Sequence, residues 1–178
     1  MDVPEGALRE LQQVGRMLWE AGLVSSHGGN LSLHLPDGAV VITAHGAMLG
    51  RLEADSLVVL GREGGRQPSS DTDIHRAIYD ATAAGAVAHA HPRHAIALSL
   101  LGEGDLEPLD LEGRHYLGKR VPVVQGREHV AEALGDFPIV VVRGHGSYAR
   151  GRDLREALLY TSVLEESAHV LWLLRSLR

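Results

Sequence analysis

The 178-residue chain carries 17 Lys and Arg against 23 Asp and Glu, a formal charge of −6 with no basic run, which argues against a surface for nucleic-acid phosphates or anionic lipid. It has no cysteine, so disulfides, thiolate nucleophiles and cysteine-ligated zinc are excluded, and any metal must use His, Asp or Glu. With 44% hydrophobic and 22% charged residues, the composition is that of one globular domain, 1–178, able to bury roughly 70% of its unfolded surface.

The opening MDVPEGALRE has no basic region followed by an apolar stretch. No segment approaches the ~20 apolar residues that span a bilayer, so the expectation is a cytoplasmic protein with no membrane partner. From Pro4 to Gly22, Leu8, Leu11, Val14, Leu18 and Ala21 recur at helical spacing and predict an amphipathic helix. NLSLHL then alternates, DG turns, and AVVIT and SLVVL follow as short strands of an antiparallel sheet. Asp71 to Ala84 places Ile74, Ala77, Ile78 and Ala81 on one helical face, with SSD available to cap it. Ala86 to His91 reads as a strand and Pro92 to Leu101 as a helix. VPVV, a helix near Glu128 to Leu134, the strand PIVVV and a long helix from Asp153 to Leu174 complete the chain. The pattern predicts an antiparallel-leaning sheet between helices.

Of eleven histidines, three fall within AVAHAHPRHA, residues 86–95. In a strand, residues i and i+2 share a face, so His89 and His91 present two imidazoles side by side. RGHGSY supplies His145 beyond the strand PIVVV, between two glycines that let the backbone approach closely. Three neutral imidazoles leave a coordination position open, the pattern of a catalytic zinc. In QPSSDTDIH, Asp71 is either a helix cap or a carboxylate aimed into the site. Ser69 and Ser70 at the same helix start could bind an anion such as phosphate. The glycine turn before Asn30 is a second anion nest or simply a tight turn.

In order, GGNLS, VITAHGAMLG, PSSDTDIHRAIY, HAHPRHA, RGHGSYARG and LREALLYTSVLEE resemble the class II aldolase and adducin family over roughly residues 6–172. Its members include fuculose-phosphate aldolase, ribulose-phosphate epimerase and oxo-tetronate-phosphate decarboxylases. The resemblance implies a three-layer α/β/α sandwich around a largely antiparallel sheet, in a homotetramer with sites at subunit interfaces. It implies that His89, His91 and His145 bind one Zn²⁺ per subunit, that Asp71 is the general acid/base, and that Gly29, Asn30, Thr43, Gly46, Ser69 and Ser70 form a phosphate pocket. The substrate class is then a small sugar phosphate. The expected reaction is aldol cleavage of a ketose phosphate to dihydroxyacetone phosphate and an aldehyde through an enediolate, the zinc acting as Lewis acid. A chain whose only lysine is Lys119 fits a reaction that needs no Schiff base. C4 epimerisation and decarboxylation of a 3-oxo acid phosphate are the alternatives, and a non-catalytic adducin-like module is disfavoured by retention of all three histidines.

Three positions depart from the pattern. His45 stands where the family has Ser or Thr before the glycine of its ITPSG turn; it is kept as a phosphate contact with a bulkier side chain. PSSDT is closer to the epimerases than to the PSSE of the aldolases, yet Arg114 and His115 replace the His-Ala-Asp-Tyr run of the epimerases. The chain ends at Arg178, without the C-terminal tail with which larger members cover the site. Tyr116 resembles a mid-chain tyrosine that serves as proton donor, with a buried or interface tyrosine as the other reading. His75 and His94 read as structural.

Overall fold

The structure, a computed structural model, describes residues 3–62, 65–102 and 104–177. Helix α1 (Glu5–Glu20) follows Pro4 and buries Ala7, Leu11, Val14 and Leu18, one stripe at helical spacing. It ends where Gly22 turns to φ +69°, so that Leu23 N–H reaches Leu18 C=O at 2.9 Å and Gly22 N–H reaches Trp19 C=O at 3.0 Å. This double bond satisfies carbonyls that the helix end leaves open.

Strands β1 (Asn30–His34), β2 (Val40–Thr43) and β3 (Leu57–Val59) come next, then α2 (Thr72–Ala81), β4 (Ala86–Ala90) and α3 (Arg93–Leu101). After them follow α4 (Leu111–Tyr116), β5 (Val123–Val124), α5 (Val130–Asp136), β6 (Ile139–Val142), β7 (Gly146–Gly151) and α6 (Leu154–Ser176). Helix α2 stops three residues short of the predicted Ala84 because Thr82 turns to extended backbone, its hydroxyl donating to Ile78 C=O. Helix α6 starts as expected, with the Asp153 carboxylate accepting the Glu156 N–H at 2.8 Å. Helix α4 and strand β7 are additions that the residue patterns did not announce. None of the described helices is long and apolar enough to cross a membrane.

The seven strands make one sheet in the order β3-β2-β1-β4-β7-β6-β5, antiparallel except for the pair β5 and β6. Alternation sorts its two faces. Leu31, Leu33, Ala86, Ala88, Ala90, Ile139, Val141 and Ala149 join the large core with α1, α3 and α6. On the other face, Val87, Val140, Val142 and Tyr148 pack with Ile78 of α2 and with Val130 and Leu134 of α5. The fold is thus the expected α/β architecture of a central, largely antiparallel sheet covered by helices on both sides.

Candidate metal centre

Register across three neighbouring strands builds the floor of the site. Asn30 of β1 pairs with His89 of β4, and His89 pairs with Tyr148 of β7, so three polar side chains form one transverse row on the face covered by α2. Above this row sits Asp71. Its Oδ2 accepts from Asn30 Nδ2 at 2.9 Å and from the Tyr148 hydroxyl at 3.0 Å, and lies 3.8 Å from His89 Nε2. Its Oδ1 accepts from Arg127 Nη1 at 2.8 Å. The carboxylate occupies the N-cap position of α2 but makes no capping bond; Ser69 instead accepts the Asp71 N–H on its hydroxyl and the Thr72 N–H on its carbonyl. The Asp71 carboxylate thus does not cap the helix and is turned toward the His89 ring.

His89 is buried, and its Nδ1–H donates to Ser147 C=O at 2.9 Å. That bond selects the tautomer and leaves the Nε2 lone pair facing His91, whose Nε2 is 3.1 Å away. His91 lies just past the end of β4, held by its N–H on Leu23 C=O at 2.7 Å, so the expected pairing of the two rings survives although the strand stops at Ala90. His145 follows β6 on a tight turn, its N–H on Val142 C=O at 3.0 Å, with Gly144 at φ +68°. Arg143 pins this turn to the end of α3 through the carbonyls of Ser99 and Gly102. The three imidazoles offer ligand nitrogens within 4.8 Å of one another, running from buried His89 to exposed His145.

Two nitrogens facing each other at 3.1 Å, one of them a bare lone pair, need a proton or a cation between them. Two Zn–N bonds of ~2.0–2.1 Å at a tetrahedral angle span ~3.3 Å. The spacing of His89 and His91 therefore fits two ligands of one divalent cation, and His145 is the third imidazole of the group. Gly146 makes the approach possible: a Cβ there would press on the Ala90 carbonyl and lie 2.7 Å from His91 Cδ2 and 3.0 Å from His89 Cε1. Gly29, at φ +81°, brings the turn before β1 against the His89 carbonyl, 2.7 Å from where its own Cβ would be.

Electrostatics favour neutral His89 and His91 rings beside an ionised carboxylate. Burial, with the neighbouring His91 as a further cause, lowers the pKa of His89 to about 3, and burial also lowers that of His91. For Asp71 burial acts upward, but the Asn30 N–H, the His89 ring and the Tyr148 hydroxyl outweigh it and hold its pKa below the usual carboxylate value. Burial and the adjoining Asp71 charge push the Tyr148 hydroxyl up, so it remains a donor.

The other sequence-derived candidates divide. Thr43, His45 and Gly46 run beside Ser69 and Ser70, joined by Ser69 N–H on Thr43 C=O at 3.1 Å and His45 N–H on Gln67 C=O at 2.8 Å. Thr43 Oγ1 accepts the Leu31 N–H at 3.3 Å, while His45 and Gly46 are exposed. Asn30, expected in a phosphate pocket, has its amide engaged with Asp71 and with His75 Nε2 at 2.6 Å. Tyr116 is not brought in: it ends α4, is 39% exposed, and its ring meets His115 at 4.7 Å, with no hydrogen bond or ring contact to Asp71 or the three imidazoles. His94 is structural, its Nδ1 at 2.9 Å from Glu165 and its ring stacked on His169 at 4.2 Å. Sequence reasoning missed Tyr148 and Arg127. Tyr148 follows His145 by three residues, a signal available only once β7 is known to be a strand; nothing local marks Arg127.

Fold and site together define an α/β protein with a cluster of three imidazoles able to hold a metal ion. Residues 9–172 match the family described as Class II Aldolase and Adducin N-terminal domain, and the chain belongs to that family. It is 31% identical to a methylthioribulose-1-phosphate dehydratase from Gluconacetobacter diazotrophicus, over 90% of this chain and 89% of that one. It is 33% identical to a 3-oxo-tetronate 4-phosphate decarboxylase from Haemophilus influenzae, over 95% and 89%. Among solved structures, the L-fuculose-1-phosphate aldolase from Thermus thermophilus superposes with a TM-score of 0.86 at 38% identity, covering 95% of this chain and 94% of that one.

Proposed function

We propose that the protein is a zinc-dependent, cytoplasmic class II aldolase that cleaves a small ketose phosphate to dihydroxyacetone phosphate and an aldehyde. The observation that carries this reading is the ionised Asp71 carboxylate 3.8 Å from His89 Nε2 in the three-imidazole cluster. His89, His91 and His145 would hold the cation, which when bound supplies Lewis-acid stabilisation of negative charge on substrate oxygens. In the direction of bond making, Asp71 takes the proton from the carbon beside the substrate carbonyl; in cleavage it returns that proton. Asn30 and Tyr148 keep the carboxylate aimed, and Ser69, Ser70, Thr43, Gly29, His45 and Gly46 are the proposed phosphate contacts.

Within one chain Tyr116 stands apart from the cluster, so its proposed part as proton donor requires a neighbouring subunit of a homotetramer. Exposed Leu100, Leu101, Leu111, Trp172 and Leu173 on α3, α4 and α6 support such an assembly. The short arm of Asp71 and the relatives named as dehydratase and decarboxylase favour a second reading, in which the same enediolate stabilisation serves elimination, C4 epimerisation or loss of CO₂.

The test incubates zinc-loaded protein with fuculose 1-phosphate and related ketose phosphates and follows products by NMR. Release of triose phosphate is expected. An epimer, a dehydrated ketose phosphate or CO₂ would move the assignment to the second reading, and no turnover of any of them would remove it.

A further inference from the structure

Beneath Asp71 runs a chain of buried polar groups that packing alone does not require. The Tyr79 hydroxyl lies 2.7 Å from Ser32 Oγ, and Ser32 Oγ lies 2.7 Å from His75 Nδ1. His75 Nε2 is 2.6 Å from Asn30 Oδ1, and Asn30 Nδ2 is 2.9 Å from Asp71 Oδ2. Ser32 and His75 are fully buried and Asn30 nearly so.

With Asp71 ionised, one assignment of hydrogens satisfies every link. A carboxylate only accepts, so Asn30 must turn its Nδ2–H toward Asp71. Its Oδ1 then faces His75 Nε2, which must carry the hydrogen. A neutral imidazole with Nε2–H has an accepting Nδ1, so Ser32 donates to it and takes the Tyr79 hydrogen on its own oxygen. Burial lowers the pKa of His75 to about 4, which keeps the ring neutral at neutral pH. All donations along this assignment leave no link without a hydrogen, and the Asn30 amide delivers the last one to Asp71. The other tautomer would flip the Asn30 amide and set Oδ1 against the carboxylate, two acceptors face to face in a buried site.

We propose that His75 is a positioning residue: its Nε2–H locks the Asn30 amide, and the locked amide holds the Asp71 carboxylate toward the three imidazoles. The catalytic consequence rests on the reading of Asp71 as proton carrier; the orientation of the amide does not. A leucine at 75 would fill similar space but leave Asn30 Oδ1 and Ser32 Oγ without this partner, whereas a glutamine keeps an N–H toward Asn30.

Two measurements on the full chain test this. Long-range ¹H–¹⁵N NMR of the histidine-labelled protein should show His75 as a single Nε2–H tautomer at neutral pH. The Asn30 side-chain amide resonances should move in His75→Leu and stay near their wild-type positions in His75→Gln. With the substrate found by the assays above, His75→Leu should lower kcat about 10- to 100-fold with KM within about threefold, and His75→Gln should recover most of it. Ser32→Ala, a position that bonds His75 but touches neither Asp71 nor His89, His91 or His145, should lower kcat about three- to tenfold and stands in if His75→Leu does not fold. An Nδ1–H tautomer, equal kcat in the Leu and Gln variants, or losses that track thermal midpoints would overturn the proposal. If the wild type turns over no sugar phosphate, the functional reading fails, and the NMR arm alone upholds or overturns the lock.

Discussion

The floor and the rim of the candidate metal centre are made by different physics. Asn30, His89 and Tyr148 stand in one row because β1, β4 and β7 are in register, and a ladder of backbone bonds leaves their spacing little freedom. His91, His145 and Arg127 come from a strand end, a glycine turn and the short 3₁₀ turn before α5, and their placement depends on a few bonds such as His91 N–H to Leu23 C=O. The floor is buried and hydrogen-bonded throughout; the rim is half open to solvent. Such a division suits chemistry that needs a fixed proton carrier and an adjustable entrance, since preorganised groups act without reorganising during reaction.

The largest effect expected from breaking the floor is that of Asp71→Asn. The substitution keeps shape but places an amide N–H₂ where Asn30 and Tyr148, or Arg127, already donate, and it removes the proposed proton acceptor. Turnover should fall by roughly 10²- to 10⁴-fold while bound zinc remains near one per chain, measured by metal analysis beside kinetics. Equal losses of zinc and turnover would mean that Asp71 serves the metal rather than the proton.

Acid should find the floor next. His75 has a folded pKa of about 4 against an ordinary 6.5, so between those values the unfolded chain binds the extra proton and the folded chain does not. Stability therefore rises with pH across that window and falls as the solution is acidified, by about 3 kcal/mol for this one group. The lowered pKa of Asp71 acts in the same sense at still lower pH. Urea midpoints from pH 7 down to pH 4 check this, and His75→Gln should flatten the slope by one proton. An unchanged slope would show that the buried ring is not the titrating group.

How much of this was legible follows the same division. Helices α1 and α6 and the histidine pair could be read because apolar spacing and the two-residue strand repeat are local properties. The polar alternation Asn30, Ser32, His34 in β1 normally marks a face toward water; here Asn30 and Ser32 are buried and bonded to α2 while His34 stays exposed, and only the tertiary fold turns the first two into a network. Strand β7, GSYARG, begins and ends on glycine and has little apolar repeat, so Tyr148 had no visible face. Helix α4, LEGRHY, buries only Gly113 and lacks an apolar stripe, which hid the separation of Tyr116 from the cluster. His75 read as structural because four residues along a helix say nothing of Ser32 and Asn30, which are more than forty positions away.

The smallest and sharpest comparison sets Tyr148→Phe against Arg127→Gln, since both remove one donor from the same carboxylate. Tyr148 donates from the buried row, and without its hydroxyl Asp71 Oδ2 keeps only the Asn30 bond in a place water does not reach. A charged group left short of a buried partner costs roughly 1–3 kcal/mol. Arg127 donates at a similar distance, but its side chain is 52% exposed, so solvent screens the pair and replaces the lost bond. The exposed pair should then be worth about 1 kcal/mol or less, and salt should reduce it further. Urea denaturation of both variants at low and high ionic strength should rank Tyr148→Phe as the more destabilising and salt-insensitive change. If Arg127→Gln proves the costlier one, the guanidinium belongs to the floor, and the boundary between the fixed and the adjustable part of the site lies beyond Asp71 Oδ1 rather than at it.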